Sequence, residues 1–218
     1  MAENGTVFLF DVDNTLLDND RVTKDLRRFL DASVGEHRSS SYWRIFEELR
    51  EELGYADYLG ALQRYRINHH FDANIVAVST YLVNYPFANR LFPNSLDVVE
   101  KCSAAGTVVI LTDGDVVFQP RKIERSGLFD AFGGNVLIYI HKETELDDIE
   151  RRYPADRYVL VDDKVRILSA VKELWGDRVT TVFPRQGHYA LDTETVAKYS
   201  TPDITVDHIG ELMSVDLH

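Results

Sequence analysis

The run Val7-Phe8-Leu9-Phe10-Asp11-Val12-Asp13-Asn14-Thr15 decides the architecture of this chain. Its four leading apolar residues have strand length and no polar alternation, which marks a strand buried on both faces, as in a parallel sheet covered by helices. The run stops abruptly at two aspartates. In extended backbone residues i and i+2 point to the same side, so the Asp11 and Asp13 carboxylates can share one site at the strand end. That is where open parallel sheets bind ligands. Taken alone, the pair also fits solvated loop residues with Thr15 capping a helix.

The same pattern recurs along the chain. Residues 107–111 run into Thr112-Asp113-Gly114, 136–140 into His141-Lys142, 158–161 into Asp162-Asp163, and 180–183 into Pro184. Helical segments at 94–105, 120–126, 144–152 and 165–175 fall between these runs, each stopped by Gly or Pro. This alternation predicts an α/β fold with a doubly wound, mostly parallel, Rossmann-like sheet. A last strand is expected at Ile204–Val206 and a short helix at 209–213.

Between residues 18 and 86 no strand-like run appears. Ile45, Phe46, Leu49 and Leu53 share one face of a helix opened by the serines at 39–41 and closed by Gly54. Asp57 reads as the N-cap of a helix over 58–66, and a third helix covers 74–85 before Pro86. The division expected is a core domain of residues 1–17 and 87–218 with an all-helical insertion at 18–86, whose two ends return to the same sheet edge.

Composition narrows the partners. With 24 Lys plus Arg against 36 Asp plus Glu, the net charge of −12 repels a long polyanion, so nucleic acid is not expected. A small phosphorylated metabolite remains open, because a local cation can reverse the field inside one cleft. No apolar run approaches the roughly 18 residues of a membrane span, and Met1 to Gly5 offers no basic preamble or cleavage site. The single Cys102 can form neither an internal disulfide nor a thiolate metal cluster. These features predict a cytoplasmic protein that does not enter membranes, and they leave monomer or homodimer undetermined.

Several strand-end residues carry chemistry. Thr112 with the N–H groups of Asp113 and Gly114 can hold phosphate oxygens; the plainer alternative is a turn in which Thr112 or Asp115 caps a helix and Gly114 takes positive φ. Lys142 offers a cation to an anionic substrate. Asp162 and Asp163 can bind a hard cation or cap the helix starting near Val165. Lys122, inside a helical segment before Gly127, reads as a surface residue. The adjacent His69 and His70 diverge on a helix and make no metal site, and His188, His208 and His218 read as incidental.

Jointly, four strand ends supply two carboxylates, a hydroxyl, a lysine and two more carboxylates. In this order the sequence resembles the haloacid dehalogenase (HAD) superfamily of phosphotransferases. The stretch 8–18 is similar to its first motif, 109–114 to its second, Lys142 to its third and 159–163 to its fourth. The helical insertion lies where members with a C1-type cap domain carry theirs. The resemblance implies a Mg²⁺-dependent phosphatase that hydrolyses a small phosphorylated metabolite through an aspartyl-phosphate. Asp11 would be the nucleophile and Asp13 the general acid and base. Thr112, Asp113, Gly114 and Lys142 would hold the phosphoryl group. Asp11, the carbonyl of Asp13, and Asp163 would hold Mg²⁺, with Asp162 as a further or supporting ligand. Asp162 stands where many relatives have Gly, no later acid follows it, and Lys142 lacks a following Pro. A sugar phosphomutase and a catalytically degenerate binding member are the alternatives. Asp13 favours phosphoryl transfer over C–halogen cleavage, since a halide leaves without needing a proton.

Overall fold

A computed structural model describes residues 5–217; Met1 to Asn4 and His218, and the expectations resting on them, lie outside. Six parallel strands form one sheet in the order β3-β2-β1-β4-β5-β6. They are β1 (Thr6–Phe10), β2 (Thr107–Asp113), β3 (Val136–Tyr139), β4 (Arg157–Val161), β5 (Val179–Pro184) and β6 (Ile204–Val206). The chain winds outward from β1 to β3, then returns across β1 to β4 and winds the other way. The winding direction therefore reverses between β1 and β4, which opens a crevice at their carboxyl ends.

The unbroken apolar runs have a direct physical cause. Phe8, Phe10, Val108, Ile110, Val159 and Val161 join one hydrophobic cluster, while Val7, Leu9, Val109, Leu111, Tyr158 and Leu160 join another. Alternate side chains thus enter two dry layers, leaving no face for polar residues. The first layer is closed by α5 (Ser95–Ser103), α6 (Phe118–Ser126) and α7 (Leu128–Ala131), through Val98, Cys102, Phe118, Ile123 and Leu128. The second is closed by α8 (Leu146–Arg152) and α9 (Val165–Trp175), with α10 (Gly187–Leu191) beside them and α11 (Thr193–Val196) following.

The segment between β1 and β2 differs from the sequence reading in detail. It holds α1 (Asn19–Val34), α2 (Glu36–Leu53), α3 (Tyr58–Asn68) and α4 (Ile75–Asn84), one helix more than expected. Helix α1 buries only Val22, Leu26 and Leu30, at i, i+4 and i+8, and Asp18 caps it by accepting from the Arg21 N–H. Helix α2 starts at Glu36, so the serines at 39–41 lie inside it rather than opening it. Gly54 closes it as expected, at φ +81°, and any side chain there would stand 2.7 Å from the His141 ring. Asp57 caps α3 by accepting from Gly60 N–H at 2.6 Å.

The insertion and the core share one apolar layer. Phe46 packs on Tyr58 with ring centroids 4.7 Å apart, and Tyr58 on Phe118 of α6 at 5.2 Å. Its inbound and outbound chains run side by side: Asp18 N–H donates to Arg90 O at 2.7 Å and Phe92 N–H to Leu16 O at 2.9 Å. Helix α6 holds the outbound end, with Arg121 donating to Val83 O at 3.3 Å and Arg125 to Asn84 O at 3.2 Å. Among the described residues no helix is long and apolar enough to cross a membrane.

Candidate active site

Register builds the site. Phe10 pairs with Val161, and Asp11 N–H donates to Val161 O at 2.9 Å, so Asp11 emerges beside Asp162. Lys142, in a tight turn just after β3, reaches across from the other side. Its ammonium donates to Asp11 Oδ1 at 2.5 Å and to Leu111 O at 3.1 Å, and stands 2.7 Å from Asp162 Oδ2. Lys142 is placed by Asp113, whose Oδ1 accepts from the Lys142 N–H at 2.8 Å. The third motif thus meets the first and fourth through a buried cation, and that cation spends itself on protein acceptors.

The carboxylates outnumber it. Asp11, Asp162 and Asp163 are all buried and bring ligand oxygens within 4.8 Å of one another. Asp162 turns toward Lys142 and accepts from the Lys164 N–H at 2.8 Å. Among the described residues neither buried oxygen of Asp163 has a hydrogen-bond partner, although its N–H donates to Thr15 Oγ1 at 3.0 Å. A buried, unpartnered carboxylate is costly unless a cation or a proton meets it. Burial pushes the Asp163 acid well up, and the Asp11 and Asp162 charges push it further. Burial also raises Asp162, to about 6, against the opposing pull of Lys142. Burial alone would lower the Lys142 ammonium, but Asp11, Asp162 and Asp113 override it and raise it. This all-oxygen, surplus-negative donor set fits a hard divalent cation.

A pH dependence follows. Asp162 and Asp163 retain protons in the folded chain at pH values where the unfolded chain, near its ordinary 3.8, has released them. Folding then takes up protons, and stability falls as pH rises from about 4 through 6 and above. Acids held low, such as Asp25 and Asp203, lose their contribution only below this window. Chelator-treated protein is expected to melt several degrees higher near pH 5.5 than near pH 7.5. Thermal melts across that range check it, and a midpoint rising with pH would contradict it.

The second motif is braced as well. Gln119 of α6 donates to Thr112 Oγ1 at 3.0 Å. Gly114 has no positive φ, and its N–H is committed to Tyr139 O at 3.0 Å. A side chain at Gly114 would collide with Gln119 at 2.9 Å, so glycine serves close approach there. Asp115 does cap the next turn, accepting from the N–H groups of Val117 and Phe118 at 2.8 and 2.6 Å.

One sequence expectation is overturned outright. Lys122 is 1% exposed, not a surface residue, and donates to both Asp13 oxygens at 2.6 and 2.8 Å and to Asn19 Oδ1 at 3.1 Å. The signal was present: Phe118, Gln119, Lys122, Ile123 and Ser126 form the inward face of α6. His188 is not incidental either, since its Nδ1 lies 2.6 Å from Asp20 Oδ1 at the start of α1. Lys164 carries no sequence signal of its place; its ammonium stands 5.2 Å from the Tyr189 ring centroid, and Tyr189 Oη accepts from Arg50 of α2 at 2.9 Å.

The model of the family described as haloacid dehalogenase-like hydrolase matches residues 6–173. The chain belongs to the haloacid dehalogenase-like hydrolases. No curated protein matches it. Among solved structures, this HAD hydrolase is similar to a protein of Burkholderia xenovorans LB400 described as a haloacid dehalogenase-like hydrolase, at 56% identity and TM-score 0.92, over 97% of this chain and 99% of that one. Its fold is also that of the magnesium-bound HAD-hydrolase YfnB from Bacillus subtilis, at 15% identity and TM-score 0.64, over 96% and 97% of the two chains. The same holds for L-2-haloacid dehalogenase from Xanthobacter autotrophicus, at 17% identity and TM-score 0.60, over 94% and 96%. The α/β architecture and the hydrolase family expected from the motifs are therefore both found.

Proposed function

We propose that this HAD hydrolase is a Mg²⁺-dependent phosphatase acting on a small phosphorylated metabolite. The observation that carries the reading is the pairing of a nucleophile in a cation-ready carboxylate cluster with a second acid, Asp13, two residues on. Cleavage of a carbon–halogen bond requires neither the cation nor the acid; cleavage of a phosphate ester uses both.

Asp11 attacks phosphorus, forming an acyl phosphate as the ester P–O bond breaks, and Asp13 delivers a proton to the leaving alkoxide. Asp13 then takes a proton from the water that attacks the acyl phosphate, releasing orthophosphate and restoring Asp11. Thr112 and the Asp113 N–H receive the phosphoryl oxygens, the Gly114 N–H expected beside them being taken by Tyr139 O, while Lys142 pins the nucleophile. Asp11, Asp162, Asp163 and the Asp13 carbonyl would hold Mg²⁺, which when bound offsets the charge that keeps an anionic nucleophile from an anionic ester. The helical insertion closes over the site and excludes bulk water.

The test is release of phosphate from aryl and alkyl phosphate esters, and of halide from 2-haloacids, each with and without Mg²⁺. Phosphate release that needs the metal, without halide release, is the expected result. Halide release without phosphate release would replace this reading with a dehalogenase. Mg²⁺ at a hundred times its Kd is also expected to add about 2.7 kcal/mol of stability near pH 7.5, a rise of about 5–10 °C.

A further inference from the structure

Helix α6 carries a buried lysine for which the chemistry above has no use. Lys122 is 1% exposed, and its two shortest contacts, 2.6 and 2.8 Å, go to the two oxygens of one carboxylate, that of Asp13. A third contact, 3.1 Å, goes to Asn19 Oδ1 at the first residue of α1. The lysine stem packs in the apolar layer near Phe118, whose ring centroid is 5.6 Å from the ammonium. Burying a lysine is expensive unless its partners are fixed, and here the contact joins three different elements. Asp13 follows β1, Asn19 opens the insertion, and Lys122 lies on the helix whose arginines hold the insertion's outbound end at Val83 and Asn84.

The contrast with Lys142 is informative. Lys142 meets the nucleophile and the carboxylate cluster, whereas Lys122 meets only Asp13 and Asn19 among the charged and amide groups of the described residues. The Asp13 side chain is 28% exposed, enough by itself to let its carboxylate rotate toward water. A two-oxygen contact to a rigid cation removes that freedom.

We propose that Lys122 is a positioning residue for Asp13: it holds the carboxylate in one orientation, and Asn19 ties that orientation to the first turn of the insertion. The proposal rests on the phosphatase reading for its kinetic consequence but not for its structural one. Proton delivery matters most when the leaving group is a poor one. Lys122→Met should therefore resemble Asp13→Asn in selectivity: kcat for an alkyl phosphate falls at least about thirtyfold, kcat for p-nitrophenyl phosphate falls only a few-fold, and KM for both stays within about threefold.

The experiment compares wild type, Lys122→Met, Asp13→Asn and the double variant on both esters at saturating Mg²⁺, together with a crystal structure of Lys122→Met. In the Asp13→Asn background the lysine change should cost almost nothing more, because its effect runs through a group already lost. Equal losses on both esters, or a full additional loss in the double variant, would overturn the proposal and leave Lys122 a packing residue. The crystal structure gives a reading free of turnover: the Asp13 carboxylate should leave its present rotamer, and its retention would overturn the proposal. If wild type hydrolyses neither ester, the phosphatase reading has failed and the rotamer alone decides the inference. If Lys122→Met does not fold, Lys122→Gln, which keeps one donor, is measured in its place against the same criteria.

Discussion

Asp11→Asn should give a folded protein whose phosphate release is lower by at least about a thousandfold. The amide is nearly the same size as the carboxylate and can still accept from Lys142 through its oxygen, so the 2.5 Å contact that organises the site has a replacement. It has no anionic oxygen to attack phosphorus. The same change relieves repulsion, since the Asp11 charge is one of the causes that push Asp162 and Asp163 upward. In chelator the variant should therefore melt no lower than wild type at neutral pH, while turnover disappears. Loss of function with preserved or improved stability separates a chemical role from a structural one. Near-normal turnover in the folded variant would remove Asp11 as the nucleophile.

Lys142→Met should do the reverse, damaging the fold itself. Lys142 is 1% exposed, and it is the cation shared by Asp11 and Asp162. Methionine fills much of the same volume but removes the ammonium that both buried carboxylates contact. Breaking a buried pair from one side costs about 3–5 kcal/mol, or about 6–20 °C in a chain of this size. The loss should shrink when Asp162→Asn is added, because one stranded charge goes with it. It should also shrink as pH falls toward 6, where Asp162 takes up a proton. Thermal melts of the single and double variants, run in chelator at two pH values, test both statements. A melting temperature unchanged by Lys142→Met would mean that the cluster is neutralised in some other way.

What the chain reveals by itself is uneven, and the unevenness has physical causes. The strands and the carboxylates at their ends are legible because a sheet covered on both faces forces unbroken apolar runs, and a run must stop where the chain re-enters water. Ile204–Val206 and Val165–Trp175 match the sequence reading to the residue. Helix α1 does not stand out in the sequence, because it anchors itself with only Val22, Leu26 and Leu30 among many charges. Its identity depends on being laid against a neighbour. Lys122 was misplaced for a related reason: lysines are seldom buried, and the partner that makes burial tolerable stands 109 residues away. The adjacency of Asp162 and Asp163 likewise does not tell that one faces Lys142 while the other meets no donor among the described residues. Motif spacing locates the groups, and tertiary contact assigns their orientation.

The pairing of the two linkers around the insertion has a further meaning. Leu17 bridges Leu91, and the flanking backbone bonds join the chain leaving β1 to the chain coming back. Seen from the core, an insertion of roughly seventy residues, most of them helical, amounts to a loop closed at its neck. A loop closed in this way can lengthen, shorten or change its sequence without shifting the strand that carries Asp11. Under the proposed function, the segment that closes over the substrate is thus free to change its sequence, while the reacting groups stay under the constraint of a packed sheet. Such an arrangement suits a lineage that keeps one reaction and keeps changing what it is applied to.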